Sequence, residues 1–365
     1  MAVILVICDH WVFEWVDIAH LPAPWFVKLP LFYWGWTGVD LFFVLSGFLI
    51  GKQLWSELYR TGTIKVGQFV LRRGLRIWPL YYVSMVLLLL LSTTRAPQWP
   101  DWVMLSNYAY TRYARSWSLS TEEQFYLLMP TLLLVFRKLL PARVWPACVL
   151  CLIALIPIAR AVTFAALSTR NLTPERIAVL MYSPFHLHSE PLLIGLLVAW
   201  IALRRRDWLQ PAPDSRIALR VLAGSGAVAV AGVALRMLNR EAFAYLALGC
   251  AYGAALCIAL ADRSILTAAL RWRIWYPLAR LSFGMYLNHL VLREPTDTII
   301  ALVNRALGTG SHAAFLVGLT LTILASAMTA AVTYVFVEQP GLAMRDRWLA
   351  RREAGPPLAR AAATY

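Results

Sequence analysis

Long apolar runs dominate the sequence, and they are continuous rather than alternating. Ten of them are read at 1–13, 34–51, 77–93, 124–136, 144–164, 186–203, 217–235, 242–261, 281–299 and 313–337. Runs of Leu, Ala, Val and Ile without a period of two predict helices, not the strands of a barrel. A membrane-crossing helix takes about 17–25 residues, and several runs are short or interrupted. The expected architecture is therefore all-α: a polytopic membrane protein of about ten transmembrane helices.

The polar connections test that count. Basic clusters occur at 52–76, 137–143, 204–220, 263–280 and 345–360, in every second connection. Lys and Arg accumulate on the cytoplasmic side of a membrane protein. Ten spans with both termini cytoplasmic preserve the alternation, and a missed or extra span breaks it. The transmembrane domain is expected over 1–340. The basic, Ala/Pro-rich stretch 341–365 is expected to be a flexible cytoplasmic tail. On the outer side, 94–123 is polar and rich in Trp and Tyr, and 165–185 carries Arg170, Glu175 and Arg176.

Composition agrees. Of 365 residues, 60% are hydrophobic and 15% charged, against ~45–50% and ~25% in soluble domains. That excludes a disordered chain and argues against a water-soluble enzyme. The net charge of +15 needs no nucleic-acid partner, because the cytoplasmic connections account for most of it. The N-terminus lacks the basic region of a signal peptide and reads as part of the first span. Cys8, Cys148, Cys151, Cys250 and Cys257 lie in or beside apolar runs and are read as buried small hydrophobes.

Ionisable side chains at bilayer depth are costly, and they mark function. Here they are His10, Asp40, His186, His188, Glu190, His289 and Glu338. Each alone suits an interfacial residue satisfied by backbone or water. Several such positions on separate helices, beside Gly and aromatic residues, point to one buried site. His186 and His188 are two apart, which suits a strand pair better than a helix, and no Cys/His cluster accompanies them, so no metal is expected. Arg72, Arg73 and Arg76 open the third span. Arg72 and Arg76 share a helix face, and guanidinium forks suit phosphate. The competing reading is a positive anchor against anionic lipid. The segment "SWSLSTEEQFYLLMP" places Ser120 and Glu123 as a capping box. A cap needs one Glu, whereas Glu122 and Glu123 lie beside Trp117, Tyr126 and Pro130. Such carboxylates near the outer face can hydrogen-bond a hydroxylated substrate.

"GVDLFFVLSGFLI", "RRGLRIWPLYY", "SWSLSTEEQFYL", "LSFGMYLNH" and "FVEQP" occur in order between residues 38 and 340. Together they resemble the acyltransferase-3 family of membrane-integral O-acyltransferases. The resemblance implies acyl transfer from cytoplasmic acyl-CoA, with acetyl-CoA the expected co-substrate, to a hydroxyl of an envelope or exported glycan. It implies a multi-pass protein of the bacterial inner membrane. The family's first-span His falls on His10, the implied general base, with Glu122 or Glu123 orienting acceptor or imidazole. Its basic cluster falls on Arg72, Arg73 and Arg76, implied to hold the CoA phosphates. Its Trp-Ser-Leu-Ser-x-Glu motif falls on Trp117, Ser118, Leu119, Ser120 and Glu122, and its late Tyr-Leu-x-His on Tyr286, Leu287 and His289. "FHLHSEPLLIG" is similar to a His-x-Arg-x-Asp pattern in which His188 replaces the Arg and Glu190 the Asp. Asp40, Trp117, Ser118, Tyr126, His186, Glu190, Tyr286 and His289 are the expected substrate contacts. An acyl-enzyme through Ser118 or Ser120 is a weaker alternative, because no His is adjacent in sequence.

The family's Arg eleven positions before the first-span His has no counterpart, since counting back from His10 passes Met1. The expectation is a natural start upstream of Met1. Two alternatives remain at this level. A transporter or flippase of a polar lipid or glycan fits the buried charges, but it predicts inverted repeats that the sequence does not display. Within the enzyme reading, a small natural product such as a macrolide competes as acceptor.

Overall fold

The computed structural model describes residues 2–91, 97–109, 116–205, 215–237, 241–261 and 272–353. The described residues are helical and contain no strand. Among the described residues, thirteen helices are longer than one turn: α1 (Ala2–Phe13), α2 (Gly38–Thr61), α3 (Val66–Leu91), α4 (Trp117–Leu139), α5 (Trp145–Ser168), α6 (Pro174–Tyr182), α7 (Glu190–Arg204), α8 (Ser215–Met237), α9 (Glu241–Ala261), α10 (Trp275–Val291), α11 (Arg293–Leu307), α12 (His312–Thr333) and α13 (Gln339–Glu353). Each expected apolar run overlaps at least one helix. Among the described residues, five helical stretches are long and apolar enough to cross a membrane: 35–61, 66–91, 142–168, 242–261 and 312–350. The others are shorter or more polar. Outward faces carry Leu90, Ile158, Val162, Met328 and Phe336, all more than half exposed, an apolar surface that suits lipid rather than water. The molecule is a multi-pass membrane protein.

Several boundaries differ from expectation. The run read as 281–299 is two helices, parted at Leu292, where α10 ends and α11 begins. Pro295 explains the break, because it has no N–H to continue a helix from Val291. The sixth run is likewise a single turn, Phe185–His188, followed by α7. The fourth run starts earlier, at Trp117, and Ser120 is not its cap: the N-cap is Ser116, without a side-chain capping bond. Ser120 instead shares a 2.7 Å hydrogen bond with Ser106. The tail expected from residue 341 begins as helix α13, and 354–365 lie outside the described residues, as do 92–96 and 110–115 of the outer segment. Of the cysteines, Cys8 is buried, whereas Cys151 and Cys250 are exposed on the apolar outer surface.

Packing rests on close helix contacts. A Cβ on Gly47 of α2 would lie 2.0 Å from the Leu192 carbonyl oxygen of α7, and one on Gly195 would lie 2.1 Å from that of Val44. Two glycines thus let α2 and α7 touch backbone to backbone, as small residues do where water cannot drive association. α2 ends at Gly62, whose φ of 70° permits the left-handed cap that returns its N–H to Leu58. Around this pair lies one apolar core, with Phe43, Trp55, Tyr81, Phe125 and Leu192. A second, with Ile7, Trp11, Trp15 and Phe315, joins α1 to α12. Tyr286 packs against both. Two π-helical turns interrupt the pattern, Glu14–Ile18 after α1 and Tyr334–Glu338 after α12. Each holds a buried carboxyl, Glu14 and Glu338.

Candidate active site

His10 of α1 and His289 of α10 meet, Nδ1 to Nε2, at 2.8 Å, with ring centroids 5.0 Å apart. The other nitrogen of His289, Nδ1, lies 3.1 Å from the Met285 carbonyl. A carbonyl only accepts, so Nδ1 carries the hydrogen, and in neutral His289 the lone pair sits on Nε2. His10 Nδ1–H then donates to it, which places the lone pair of His10 on Nε2. His289 thereby fixes the tautomer that a general base at His10 requires. A cavity of about 20 Å³ lies against this pair, lined by His10, His289, Trp11, Glu14, Thr296 and Thr322 among others.

From the pair a polar line runs through the bundle. Tyr286, one turn before His289, has its ring centroid 5.7 Å away, stacks on Phe42 at 6.2 Å and hydrogen-bonds Ser118. Ser118, Glu122 and Tyr126 are four apart, so one face of α4 presents all three. Glu122 accepts from both Ser46 and Tyr126, and those two hydroxyls are 3.0 Å apart. The Arg73 guanidinium lies 5.9 Å from the Tyr126 and Phe69 rings and donates to Gln53 at 2.9 Å. Arg72 reaches Glu57 at 3.8 Å, and Arg76 is exposed. The line therefore runs from the arginine cluster to the histidine pair. Glu123 turns away from it: one oxygen takes the Trp78 indole N–H at 3.0 Å, and the other is buried without a hydrogen-bond partner among the described residues. Glu338 stands beside Gly284 of α10, where a Cβ would lie 3.2 Å from its carboxylate.

Other expected site residues gather elsewhere. Asp40 accepts from His188 Nε2 at 2.9 Å, and His188 Nδ1 faces the Tyr182 carbonyl at 2.8 Å. Both ring nitrogens thus face acceptors, leaving neither for a substrate proton. Trp117 stacks on this imidazole at 5.4 Å, and Tyr245 lies at 4.2 Å. Glu190 forms a fully buried ion pair with Arg160, which also donates to the Leu187 and Ala242 carbonyls. His186 sits apart, stacked on Tyr108 with a 3.1 Å hydrogen bond to its hydroxyl. No group of three or more His, Cys, Asp or Glu among the described residues is placed to hold a metal ion.

Sequence reasoning missed Glu14, Ser46, Gln53 and Arg160. Arg160 had the clearest signal, a lone cation inside "CLIALIPIARAVTFAALS". Glu14 follows the expected end of the first run by one residue, yet shares a helix side with His10.

The peptidoglycan O-acetyltransferase OatA of Listeria monocytogenes is 31% identical over 163 residues, covering 38% of this chain and 23% of the relative. The O-acetyltransferase OatA of Staphylococcus aureus is 35% identical over 139 residues, covering 32% and 22% respectively. The matched part is thus less than a quarter of either relative's length. No solved structure matches the chain. A family model described as an acyltransferase domain, acyltransferase-3, matches residues 1–334, nearly the whole bundle with both histidines of the pair and the arginine cluster. The chain belongs to the acyltransferase-3 family.

Proposed function

We propose that this protein is an O-acetyltransferase of the bacterial inner membrane, with ten spans and both termini cytoplasmic. It moves an acetyl group from acetyl-CoA to a hydroxyl of an envelope or exported glycan. The observation that carries the reading is the continuous polar line from Arg73 to the His10–His289 pair, ending at a cavity. Two relatives named as O-acetyltransferases, one of them acting on peptidoglycan by name, support the acetyl group and the glycan.

The chemistry follows the line. Arg72, Arg73 and Arg76 hold the CoA phosphates at the cytoplasmic end of α3, through charge-assisted hydrogen bonds. The thioester reaches inward along Tyr126, Glu122 and Ser118. The acceptor hydroxyl gives its proton to His10 Nε2 as its oxygen attacks the thioester carbonyl. The new O–C bond forms, the C–S bond breaks, and the CoA thiolate takes the proton back from the imidazolium. His289 stabilises that imidazolium by accepting from Nδ1–H. Glu122 orders Ser46 and Tyr126 along the path.

The test is mass spectrometry of envelope glycans from cells with and without the gene. The expected result is loss of one acetyl mass, restored by the wild-type gene and not by His10→Ala. Unchanged acylation overturns the reading.

A further inference from the structure

Two buried polar groups at the cavity beside His10 make no hydrogen bond among the described residues. Thr322 of α12 is 6% exposed, and its hydroxyl has no partner there. The other threonines of that helix differ: Thr320, Thr329 and Thr333 each donate to a carbonyl one turn back, at 2.8–3.0 Å. The indole N–H of Trp11, 1% exposed, likewise lacks an acceptor among the described residues, whereas those of Trp15, Trp55, Trp78, Trp145 and Trp200 all find one. Both residues line the cavity with His10 and His289. Gly318 brings them together. A Cβ there would lie 2.6 Å from Cζ2 and Cη2 of Trp11, the ring edge beside the N–H, and Thr322 follows Gly318 by one turn on the same face of α12. Unmade hydrogen bonds of buried groups cost stability, and two such groups on facing helices at one cavity point to a ligand.

The size of the cavity narrows what that ligand is. At about 20 Å³, it exceeds the roughly 10–15 Å³ that one water needs, and a buried water also needs two to four polar partners. An indole donates and a threonine hydroxyl accepts. The water oxygen accepts from the Trp11 N–H, one of its hydrogens goes to Thr322, and the other faces the imidazole of His10. One lone pair of the water is left to bond to carbon. We propose that this cavity is a water site and that its water is a second acyl acceptor, which gives the protein an acyl-CoA hydrolase activity. The inference rests on the acyl-transfer reading, because it uses the same thioester and the same base. His10 takes a proton from the water as the water oxygen attacks the thioester carbonyl. The new C–O bond forms, the C–S bond breaks, and the imidazolium returns its proton to the departing thiolate. The products of acetyl-CoA and water are acetic acid and CoA, with no further reactant consumed. An acceptor hydroxyl competes with the water for His10, so hydrolysis is the reaction of the enzyme that holds a donor and no acceptor.

The test follows release of free acetate and CoA from acetyl-CoA by the purified full-length protein in nanodiscs, with no acceptor added. The wild type is expected to release both in equal amounts, at least about 10²-fold faster than His10→Ala, which lacks the base. Thr322→Val keeps the side-chain volume and removes the hydroxyl. It should slow hydrolysis roughly fivefold, as one lost hydrogen bond allows, while acetyl-CoA affinity stays as it is. Thr322→Ser restores the hydroxyl and should return the rate to within about twofold of the wild type. A gap left by the missing methyl group alone would instead make the serine variant the slower one. Trp11→Phe, which removes the N–H, should slow hydrolysis by a similar roughly fivefold. Thr320→Val, which removes an exposed hydroxyl on the same helix, is the control and should change nothing. Hydrolysis by the wild type no faster than by His10→Ala, or wild-type rates in both Thr322→Val and Trp11→Phe, overturns the proposal. The two readings fail separately. Envelope acetylation that depends on the gene, without hydrolysis by the purified protein, would sink the water site and leave the transferase standing. Hydrolysis that depends on Thr322, without any acetylated product in cells, would do the reverse.

Discussion

Two histidines sit deep in this bundle among charged and aromatic partners, and they differ in what surrounds them. His188 is enclosed: Asp40 and a carbonyl occupy its two nitrogens, and Trp117, Tyr182 and Tyr245 cover its ring. The Arg160–Glu190 pair beside it is fully buried. His10 instead borders a cavity, and its partner His289 turns one nitrogen lone pair toward it. Buried charge alone thus does not distinguish a site from a structural clasp. Space next to the reactive atom does, together with polar groups left for a ligand.

The comparison breaks if the wrong histidine matters. His10→Ala should lower the initial rate of acetyl transfer by about 10²–10⁴, the usual cost of losing a general base. His188→Ala should act through folded yield, with a normal rate per folded molecule. A chemical defect confined to His188→Ala would reverse the assignment. Arg160→Met tests the enclosed region directly. It leaves Glu190 as a buried uncompensated charge, which costs about 3–5 kcal/mol, and thermal unfolding in detergent should report the loss. Arg160→Met with Glu190→Leu should recover much of it, because replacing both charges removes the orphan.

The remaining predictions sharpen the open region. Replacing Arg72, Arg73 and Arg76 together by Gln should weaken acetyl-CoA binding by tenfold or more, since hydrogen bonds to charged groups contribute about 1.5–3 kcal/mol each. Titration with acetyl-CoA checks this, and unchanged affinity would return the cluster to anchoring lipid. His289→Ala should cost about tenfold in kcat through the lost tautomer control, and His289→Gln, which keeps an acceptor for His10 Nδ1–H, should cost less. The smallest effect is expected for Arg72→Gln on stability. Its contact with Glu57 is 3.8 Å long and partly exposed, so the change should stay within about 1 kcal/mol.

Much of the bundle was legible because a lipid-facing helix must be apolar along its length, and the apolar runs mark the helices. The boundaries were less so. Averaging over "LVLREPTDTIIAL" hid the break that Pro295 imposes, and the same averaging hid Arg160 in the middle of an apolar run. The family motifs marked His10, Glu122, Tyr286 and His289, but not how they join. His10 and His289 are 279 positions apart, and no local spacing encodes such a pairing. Glu14 escaped because it lies one residue past the end of the apolar run, although it lines the same cavity as His10.

The close crossing of α2 and α7 has a consequence for how the protein is made. Asp40 and its partner His188 are 148 positions apart, and Gly47 likewise waits for Leu192. At roughly 5–20 residues per second of synthesis, α2 enters the bilayer about 7–30 seconds before α7 exists. During that interval a buried carboxylate and a bare glycine face have no native partner. The early helices must therefore be held by the insertion machinery, or by one another, until the sixth apolar segment arrives. Changes at Asp40 that remove its charge should shorten that dependence even while they weaken the finished fold. The Asp40–His188 bond thus closes a wait in biogenesis as well as a gap in structure.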